Sequence, residues 1–324
     1  MRALVLGGTA FVGRAIVDAL VGDGAEVTLF GRGRTGRELF PGVRRLVGDR
    51  DTGAYAALTA AARERPFDVV VDVSGYVSRQ VRGAIAALDA AGGHAGRYVF
   101  VSTQAVYEAG GHPRRKAPRR DVDDVARLDN STYGPAKVAC EDVVTARFGE
   151  RATLVRPGQV VGPHDTSGAF LYWLRHAERG GPTALPGDTA QPVQLLDARD
   201  LGRLVAALAH KDLGGAFDAV GPAEPLTLAA LLAACARGAG TRAWLVPVAD
   251  RPAYFPFVRD DWAGQRRDPG PARAAGLTAT PFAETVAAVR DWDAGRGRPV
   301  LEAGLGYTAE REAELLAAGD APGR

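Results

Sequence analysis

Tyr133 and Lys137 stand in the segment Tyr133-Gly134-Pro135-Ala136-Lys137. In a helix this spacing places both side chains on one face, one turn apart. A free tyrosine has a pKa of about 10, and an ammonium group nearby favours the phenolate and lowers that value. The pair therefore predicts a phenol that gives or takes a proton near neutral pH. Only three of the 40 basic residues are lysines, which favours this interpretation over an exposed pair on a surface helix.

A glycine-rich segment near the N-terminus predicts a nucleotide-binding turn between a strand and a helix. Glycine lets the backbone approach a pyrophosphate, and a helix N-terminus offers free N–H groups and the positive end of its dipole. The strand-turn-helix context favours this interpretation over a plain tight turn. The candidate cofactor contacts in the segment are Gly7, Thr9, Ala10, Phe11, Val12 and Gly13.

The end of the second predicted strand distinguishes between the two nicotinamide cofactors. NAD sites place an acidic residue there for the ribose 2′-hydroxyl, whereas NADP sites offer arginine to the 2′-phosphate. Gly31 occupies that position here, and Arg32 and Arg34 follow it. A guanidinium fork matches a phosphate dianion. The sequence therefore favours NADP(H), with NAD(H) as the alternative, unless this is simply a loop of an arginine-rich protein. Asp49, after the third predicted strand, is placed to contact the adenine.

The segments that carry these residues alternate between strands and helices. The predicted strands are Ala3–Leu6, Glu26–Phe30, Arg44–Val47, Asp68–Val73, Arg97–Ser102 and Thr153–Arg156. The predicted helices between them are Val12–Val21, Tyr55–Arg65, Ser78–Ala91 and Tyr133–Phe148. Most of the strands are continuous apolar runs, which suits burial on both faces of a parallel sheet. The alternation predicts an α/β fold, a Rossmann-type doubly wound parallel sheet with a smaller, less regular C-terminal lobe.

This division places a nucleotide-binding domain at residues 1–165 and a substrate-binding lobe mainly at 166–324, with 191–212 returning to the first domain. The predicted helices of the second part are Asp200–His210, Leu228–Arg237 capped by Thr227, and Ala309–Ala318 capped by Thr308. Residues 251–271 show no periodicity and predict a loop, either beside the substrate pocket or on the surface. Residues 319–324 are expected to fray.

Composition and charge exclude several classes of protein. The chain is 46% hydrophobic and 24% charged, which is ordinary for a globular protein with a sizeable core. A net charge of +2 indicates neither a nucleic-acid nor a membrane partner, and no apolar run reaches transmembrane length.

The N-terminus enters a strand directly, so a cytoplasmic location is expected. Cys140 and Cys235 give no disulfide framework and no metal spacing.

Five ordered motifs together resemble the short-chain dehydrogenase/reductase superfamily, in its extended and atypical, NAD-dependent epimerase/dehydratase-like branch. The resemblance covers most of the chain. The motifs are Gly7–Gly13, Tyr98–Tyr107, Tyr133–Lys137, Val155–Pro163 and Gln191–Asp200.

The resemblance implies a role for each of the matching residues. Tyr133 would donate or accept the proton at the reacting oxygen, and Lys137 would lower its pKa and bind the nicotinamide ribose. Thr103 would hydrogen-bond the same oxygen, with Ser102 as the neighbouring alternative. Pro157 would contact the cofactor, which carries the hydride chemistry. The resemblance also implies a possible homodimer.

Three departures from the family pattern bear on function. Ala10 stands at the middle glycine of the turn, which implies a looser approach to the phosphate. Gln104 and Ala105 stand where sugar-nucleotide dehydratases have an Asp-Glu pair, so the acid and base for loss of water are missing. Gly31 replaces the acid that epimerases with retained NAD usually keep.

The substrate candidates carry a weaker signal, and each has an ordinary structural alternative. They are Tyr107, His164, Tyr172, Trp173, Gln191 and Gln194. The aromatic pair fits the core as well as a pocket, and the histidine fits the cap of a turn. A basic run, Arg114-Arg115-Lys116 with Arg119-Arg120, fits an anionic substrate or a solvated loop.

The leading hypothesis is an NADP(H)-dependent reductase or dehydrogenase acting on a carbonyl or secondary alcohol of a small metabolite. The second is a nucleotide-sugar epimerase with retained NAD. The third is a non-catalytic dinucleotide-sensing or RNA-binding protein, which chloroplast stem-loop-binding members of the superfamily resemble. The intact set of Thr103, Tyr133 and Lys137 and the low net charge argue against the third hypothesis.

Overall fold

The first half of the chain alternates strands and helices in the computed structural model, which describes residues 1–92, 95–108 and 118–319. The elements are β1 (Arg2–Leu6), α1 (Phe11–Gly22), β2 (Glu26–Gly31), β3 (Arg44–Val47), α2 (Ala56–Glu64), β4 (Val69–Asp72), α3 (Ser78–Asp89), β5 (Arg97–Val101), α4 (Tyr133–Phe148) and β6 (Ala152–Pro157). All of them were predicted from the sequence, with ends that differ by no more than two residues.

The second half contains shorter strands and the remaining helices. They are β7 (Gln159–Val161), α5 (Ala169–Arg179), β8 (Gly181–Leu185), β9 (Pro192–Val193), β10 (Leu195–Asp197), α6 (Ala198–His210), β11 (Gly215–Ala219), β12 (Leu226–Thr227), α7 (Leu228–Ala239), β13 (Ala243–Pro247), α8 (Gly270–Ala275), α9 (Phe282–Gly295) and α10 (Ala309–Gly319). The caps of α7 and α10 are confirmed. Thr227 Oγ1 accepts from the Ala230 N–H at 3.1 Å, and Thr308 Oγ1 from the Arg311 N–H at 3.2 Å.

Seven parallel strands form the central sheet, in the order β11-β6-β5-β4-β1-β2-β3. The chain builds β1, β2 and β3 in one direction and then places β4 on the other side of β1. The carboxyl ends of β1 and β4 therefore flank a crevice, which is where doubly wound sheets bind ligands. Helices α2, α3 and α4 cover one face of the sheet, and α1, α6 and α8 cover the other. The Rossmann-type fold predicted from the sequence is confirmed.

Two elements from the second half of the chain lie with the central sheet. β11 pairs in parallel with β6 at its edge. α6 begins after Asp197, whose side chain accepts the Arg199 N–H, and packs along α1. At the helix crossing, Gly202 lies so close to the Ala15 carbonyl that any side chain would overlap it.

The C-terminal lobe has a core of its own, in which α5 packs beside α7 and α9. Tyr172 and Trp173 of α5 are almost completely buried in it. The Trp173 Nε1–H donates to the Pro256 carbonyl at 3.2 Å. Residues 251–271 contribute Phe255 and Phe257 to this core, form a 3-10 turn at Ala263–Gln265 and lead into α8. No helix in the described ranges has the length and apolarity needed to cross a bilayer.

We expect Gly202→Ala to destabilise the protein by about 1–3 kcal/mol, because the added methyl would push α6 away from α1. Gly22→Ala is the matched control. It lies in the last turn of α1 with open space around it, so it should be neutral or stabilising by up to about 1 kcal/mol. Urea unfolding measures both changes. Equal stabilities for the two variants would contradict the close packing of the helices.

Candidate active site

A cleft of about 940 Å³ lies at the carboxyl edge of the central sheet. Every residue predicted to contact the cofactor or to act in catalysis lines it. These are Gly7, Thr9, Ala10, Phe11, Val12, Gly13, Arg32, Arg34, Asp49, Thr103, Tyr133, Lys137 and Pro157. The fold thus brings residues far apart in the sequence into one cavity, because parallel strands expose their carboxyl ends at the same edge.

The turn between β1 and α1 has the form of an anion-binding cradle. Gly7 has a φ of +90°, which favours glycine, and a side chain on it would lie 2.6 Å from the Ser74 Cβ. Gly13 lies against the Gly7 carbonyl with no room for a side chain. No side chain caps α1 at Ala10, and its first turn contains no acidic residue. The N–H groups of that turn are therefore available to a pyrophosphate.

Four arginines line the far end of the cleft. They are Arg32, Arg34, Arg37 and Arg45. The Nε–H of Arg37 donates to the Gly33 carbonyl at 2.6 Å, and Arg45 donates to the Gly36 carbonyl at 3.0 Å. Arg32 and Arg34 are exposed and form no ion pair with a carboxylate in the part of the chain that the structure describes. Such a group of unneutralised guanidiniums suits a phosphate dianion.

Tyr133 and Thr103 meet because α4 starts against the 3-10 turn at Gln104–Val106. Gly134 lies so close to the Ala105 carbonyl that a side chain would overlap it. This close approach brings Tyr133 beside Thr103, whose side chain acts to lower the pKa of the phenol. The neighbouring Ser102 hydroxyl is buried without a hydrogen-bond partner in the described structure. Thr103 is therefore the hydroxyl residue that influences the phenol, and Ser102 precedes it in the chain.

Burial, with a smaller contribution from the nearby Tyr76, raises the pKa of Tyr133 to about 12, although the Thr103 side chain acts to lower it. This corrects the sequence-based expectation that Lys137 lowers the pKa of the phenol. The physical reason is that desolvation of the phenolate outweighs every favourable contact in this geometry. At neutral pH the hydroxyl is protonated and can act as a proton donor.

Lys137 is directed at the ends of two strands. Its Nζ donates to the Gly75 carbonyl after β4 at 2.8 Å and to the Val101 carbonyl of β5 at 2.9 Å. It also lies 4.2 Å from the centre of the Phe100 ring. The side chain is only 2% exposed, and this burial lowers the pKa of the ammonium to about 8.

Several cleft residues were missed by the sequence analysis. They are Arg37, Arg45, Arg50, Ser74, Tyr76 and Gln80. Ser74 and Tyr76 directly follow β4, so the rule that ligands bind at carboxyl strand ends could have identified them. Arg50 follows β3 but pairs with a carboxylate of another strand, and no local pattern indicates such a pair.

None of the six substrate candidates lines the cleft. Tyr172 and Trp173 belong to the core of the C-terminal lobe. A place in the core was the alternative to a place in a substrate pocket. Gln191 and Gln194 are buried, and their amides hold neighbouring backbone. Gln191 Nε2 donates to the Phe257 carbonyl at 2.8 Å, and Gln194 Oε1 accepts the Arg267 N–H at 3.1 Å.

The other two candidates have partners of their own outside the cleft. The Tyr107 hydroxyl donates to Asp218 at 2.8 Å and accepts from Arg156 at 2.8 Å. His164 has a φ of +72°, and its ring meets the edge of Trp292 at a centroid distance of 5.6 Å.

The basic run predicted before α4 falls partly outside the described residues. Arg114, Arg115 and Lys116 lie in the part that the structure does not describe. Arg119 is exposed and pairs with Asp121 at 2.8 Å, and Arg120 is exposed as well. Among the described residues, no cluster of metal-ligand type is present.

The chain matches the model of the NAD dependent epimerase/dehydratase family over residues 3–220. It is 34% identical over 221 residues to 2′-dehydrokanamycin reductase of Streptomyces kanamyceticus, covering 65% of this chain and 59% of that protein. It is 24% identical over 253 residues to the chloroplast stem-loop binding protein of 41 kDa b of Arabidopsis thaliana, covering 74% of this chain and 63% of that one. The alignments thus span less than two thirds of both relatives.

A solved structure confirms the likeness of the fold. The UDP-glucose 4-epimerase of Thermus thermophilus, in complex with NAD, superimposes with a TM-score of 0.65 and 21% identity. The superposition covers 91% of this chain and 99% of that chain. At this level of identity the likeness concerns the fold alone.

The buried Lys137 ammonium predicts a pH-dependent cost to folding. In the unfolded chain lysine titrates near a pKa of about 10.4, whereas in the folded protein its pKa is about 8. The unfolded state therefore binds more protons between these values, and the cost is full below pH 8 and disappears as the pH rises. The free energy of unfolding of Lys137→Met minus that of the wild type should therefore be larger at pH 7 than at pH 10, by about 2 kcal/mol.

Urea unfolding of both proteins at the two pH values measures this difference. Subtracting the wild-type free energy of unfolding from that of the variant removes the contribution of the tyrosines, which titrate in both proteins. Lys211→Met, at an exposed lysine at the end of α6, controls for the loss of one lysine. A pH-independent difference between Lys137→Met and wild type would contradict the burial of a charged ammonium.

Proposed function

Because the chain belongs to the NAD-dependent epimerase/dehydratase family, we propose that it is an NADP(H)-dependent reductase or dehydrogenase. Its substrate would be a carbonyl or secondary alcohol of a small metabolite. The observation that carries this proposal is the arrangement of the cleft. Thr103, Tyr133 and Lys137 lie together in it, and arginines without carboxylate partners line it as well.

The residues of the cleft fit a dinucleotide. The uncapped start of α1 and the turn from Gly7 to Gly13 would hold the pyrophosphate. Arg32 and Arg34 would bind the 2′-phosphate, because Gly31 leaves no acid there to repel it. Asp49 lines the same cavity and would contact the adenine. Bound NADPH would supply the hydride.

Tyr133 would donate the proton to the substrate oxygen. Its raised pKa keeps the phenol protonated at neutral pH, which suits the direction of carbonyl reduction. Thr103, which lines the cleft with the phenol, would donate to the same oxygen as charge develops on it. Lys137 would place a positive charge beneath the reaction centre and help to bind the ribose.

The relatives support a reductase and keep one alternative open. The reductase of Streptomyces kanamyceticus is 34% identical to this chain, which favours carbonyl reduction. An epimerase with retained NAD is the second candidate, because the NAD complex of UDP-glucose 4-epimerase shares the fold. Gly31 and the arginines of the cleft weigh against it. RNA binding, which the name of the chloroplast relative suggests for that protein, is not supported by a chain of net charge +2.

Tyr133→Phe should lower the turnover of carbonyl reduction by at least about 10²-fold, the scale expected for loss of a general acid. NADPH binding should remain nearly intact. NADPH oxidation with a panel of small ketones and oxidised sugars measures turnover, and NADPH fluorescence measures binding. Tyr254→Phe, an exposed tyrosine outside the cleft, is the control. Comparable turnover in the two variants would remove Tyr133 from the mechanism.

Arg32→Ala should weaken NADPH binding by about 10- to 100-fold, the loss of one charge-assisted hydrogen bond, and should change NADH binding little. Thermal shifts with NADPH, NADP⁺, NADH and NAD⁺ in parallel report these affinities, since a ligand raises stability by RT ln(1 + [L]/Kd). Arg63→Ala, an exposed arginine of α2 outside the cleft, is the control.

The same measurement separates the two candidate functions. Equal weakening of both cofactors in Arg32→Ala would show that this arginine does not bind the 2′-phosphate. Co-purified NAD detected by mass spectrometry, together with a preference for the unphosphorylated pair, would overturn the reductase and place the epimerase first.

A further inference from the structure

Arg50 and Asp72 form a buried ion pair beneath the cleft. Arg50 Nη1 donates to Asp72 Oδ1 at 2.6 Å, and Nη2 donates to Oδ2 at 2.8 Å. The Tyr98 hydroxyl donates to Oδ2 at 2.7 Å. Asp72 is fully buried and Arg50 is 9% exposed. The geometry is bidentate and the carboxylate accepts an additional hydrogen bond, which is what a buried pair needs to offset desolvation.

Such a pair is poor evidence for stability, because apolar residues of similar volume often stabilise a core as well or better. Its position indicates another role. Asp72 is the last residue of β4, and Arg50 lines the cleft. The pair therefore connects the segment after β3 to the turn after β4, and Lys137 donates a hydrogen bond to the Gly75 carbonyl in that turn.

The hydrogen bonds of the pair fix the backbone that follows β4. Asp72 Oδ1 accepts the Ser74 N–H at 3.1 Å, and Arg50 Nη1 donates to the Ser74 hydroxyl at 3.0 Å. Gly75 is held in the same turn, where a side chain would lie 3.0 Å from Asp72 Oδ2 and 2.9 Å from Phe100. The Gly75 carbonyl is one of the two acceptors of Lys137.

The pair also belongs to the electrostatic surroundings of Lys137. Cys140 and Glu141 on α4, Asp72 at the end of β4 and Arg50 after β3 face the ammonium. Burial is the largest influence on Lys137 and lowers its pKa. The pKa is raised by Cys140, Asp72 and Glu141, and it is lowered by Arg50, whose effect is the smallest. The aromatic rings around the ammonium are those of Phe100 and Tyr76, at 4.2 and 5.8 Å from Nζ.

We propose that Asp72, held by Arg50, is a positioning residue for Lys137, which orients the Gly75 carbonyl toward the ammonium and keeps the ammonium charged inside the protein. The role of Lys137 in catalysis rests on the proposed function. The effect of Asp72 on Lys137 does not, because it concerns the protonation of a side chain that can be measured without turnover.

Competitive acetylation over a range of pH measures that protonation, because acetic anhydride reacts only with the neutral amine. The chain has three lysines, so mass spectrometry can follow each separately, with Lys211 as the internal reference. In Asp72→Asn the midpoint for Lys137 should fall by about one pH unit, since an opposite charge has been removed and Arg50 remains.

A double variant keeps the test decisive if Asp72→Asn does not fold. Arg50→Met with Asp72→Asn leaves no unpaired buried charge, and its Lys137 midpoint should fall in the same direction by less. Asp293→Asn is the control for the loss of a buried carboxylate. It removes an ion pair with Arg175 in the C-terminal lobe, and the Lys137 midpoint should not move.

An unchanged Lys137 midpoint in Asp72→Asn or in the double variant, whichever folds, would overturn the proposal. In an active enzyme, Asp72→Asn should also shift the alkaline limit of kcat to lower pH, because Lys137 then loses its proton earlier. Failure of Tyr133→Phe to reduce turnover would overturn the reductase mechanism instead and leave the acetylation result valid. The two failures are thus distinguishable.

Discussion

The hydrogen bonds from Lys137 to the Gly75 and Val101 carbonyls tie α4 to the ends of two parallel strands. Gly75 lies three residues beyond the end of β4, and Val101 is the last residue of β5, so both carbonyls stand where the strands end. A buried ammonium without such acceptors would be expensive. The position of α4 along the sheet, and with it the position of Tyr133, therefore depends on where β4 and β5 end. Gly134 reinforces this position by letting the start of α4 approach the turn after Thr103.

The electrostatics of the cleft follow from the same burial. Removing water raises the pKa of Tyr133 and lowers that of Lys137, so both neutral forms are favoured. For the phenol this means a proton ready to be donated. For the ammonium it means a charge that other groups must maintain, and the carboxylate of Asp72 is one of them. The protonated phenol and the need of the ammonium for a nearby carboxylate thus both follow from burial.

The sequence could predict the parts of the fold and site that depend on local patterns. Continuous apolar runs identify β1, β4 and β5, because strands buried on both faces need no polar alternation. The pairing of Arg50 with Asp72 depends instead on strand order, which no local window contains. The substrate candidates lie outside the cleft for a related reason, since aromatic residues have the same composition signal in a pocket and in a core. Tyr172 and Trp173 fill the C-terminal lobe, whereas Tyr76, which follows a strand end, lines the cleft.

The choice of lysine at position 137 has a physical reason in an arginine-rich chain. Two carbonyls from different strands converge on one point at 2.8 and 2.9 Å, which matches a compact ammonium with rotatable donors. A planar guanidinium presents its donors in a fixed fork and stays charged at any pH a cell reaches. Arginine has a larger, planar head group, and it could not lose its proton in response to the groups around it. At the far end of the cleft, where we propose that the 2′-phosphate binds, the opposite properties are needed, and that end is lined by arginine.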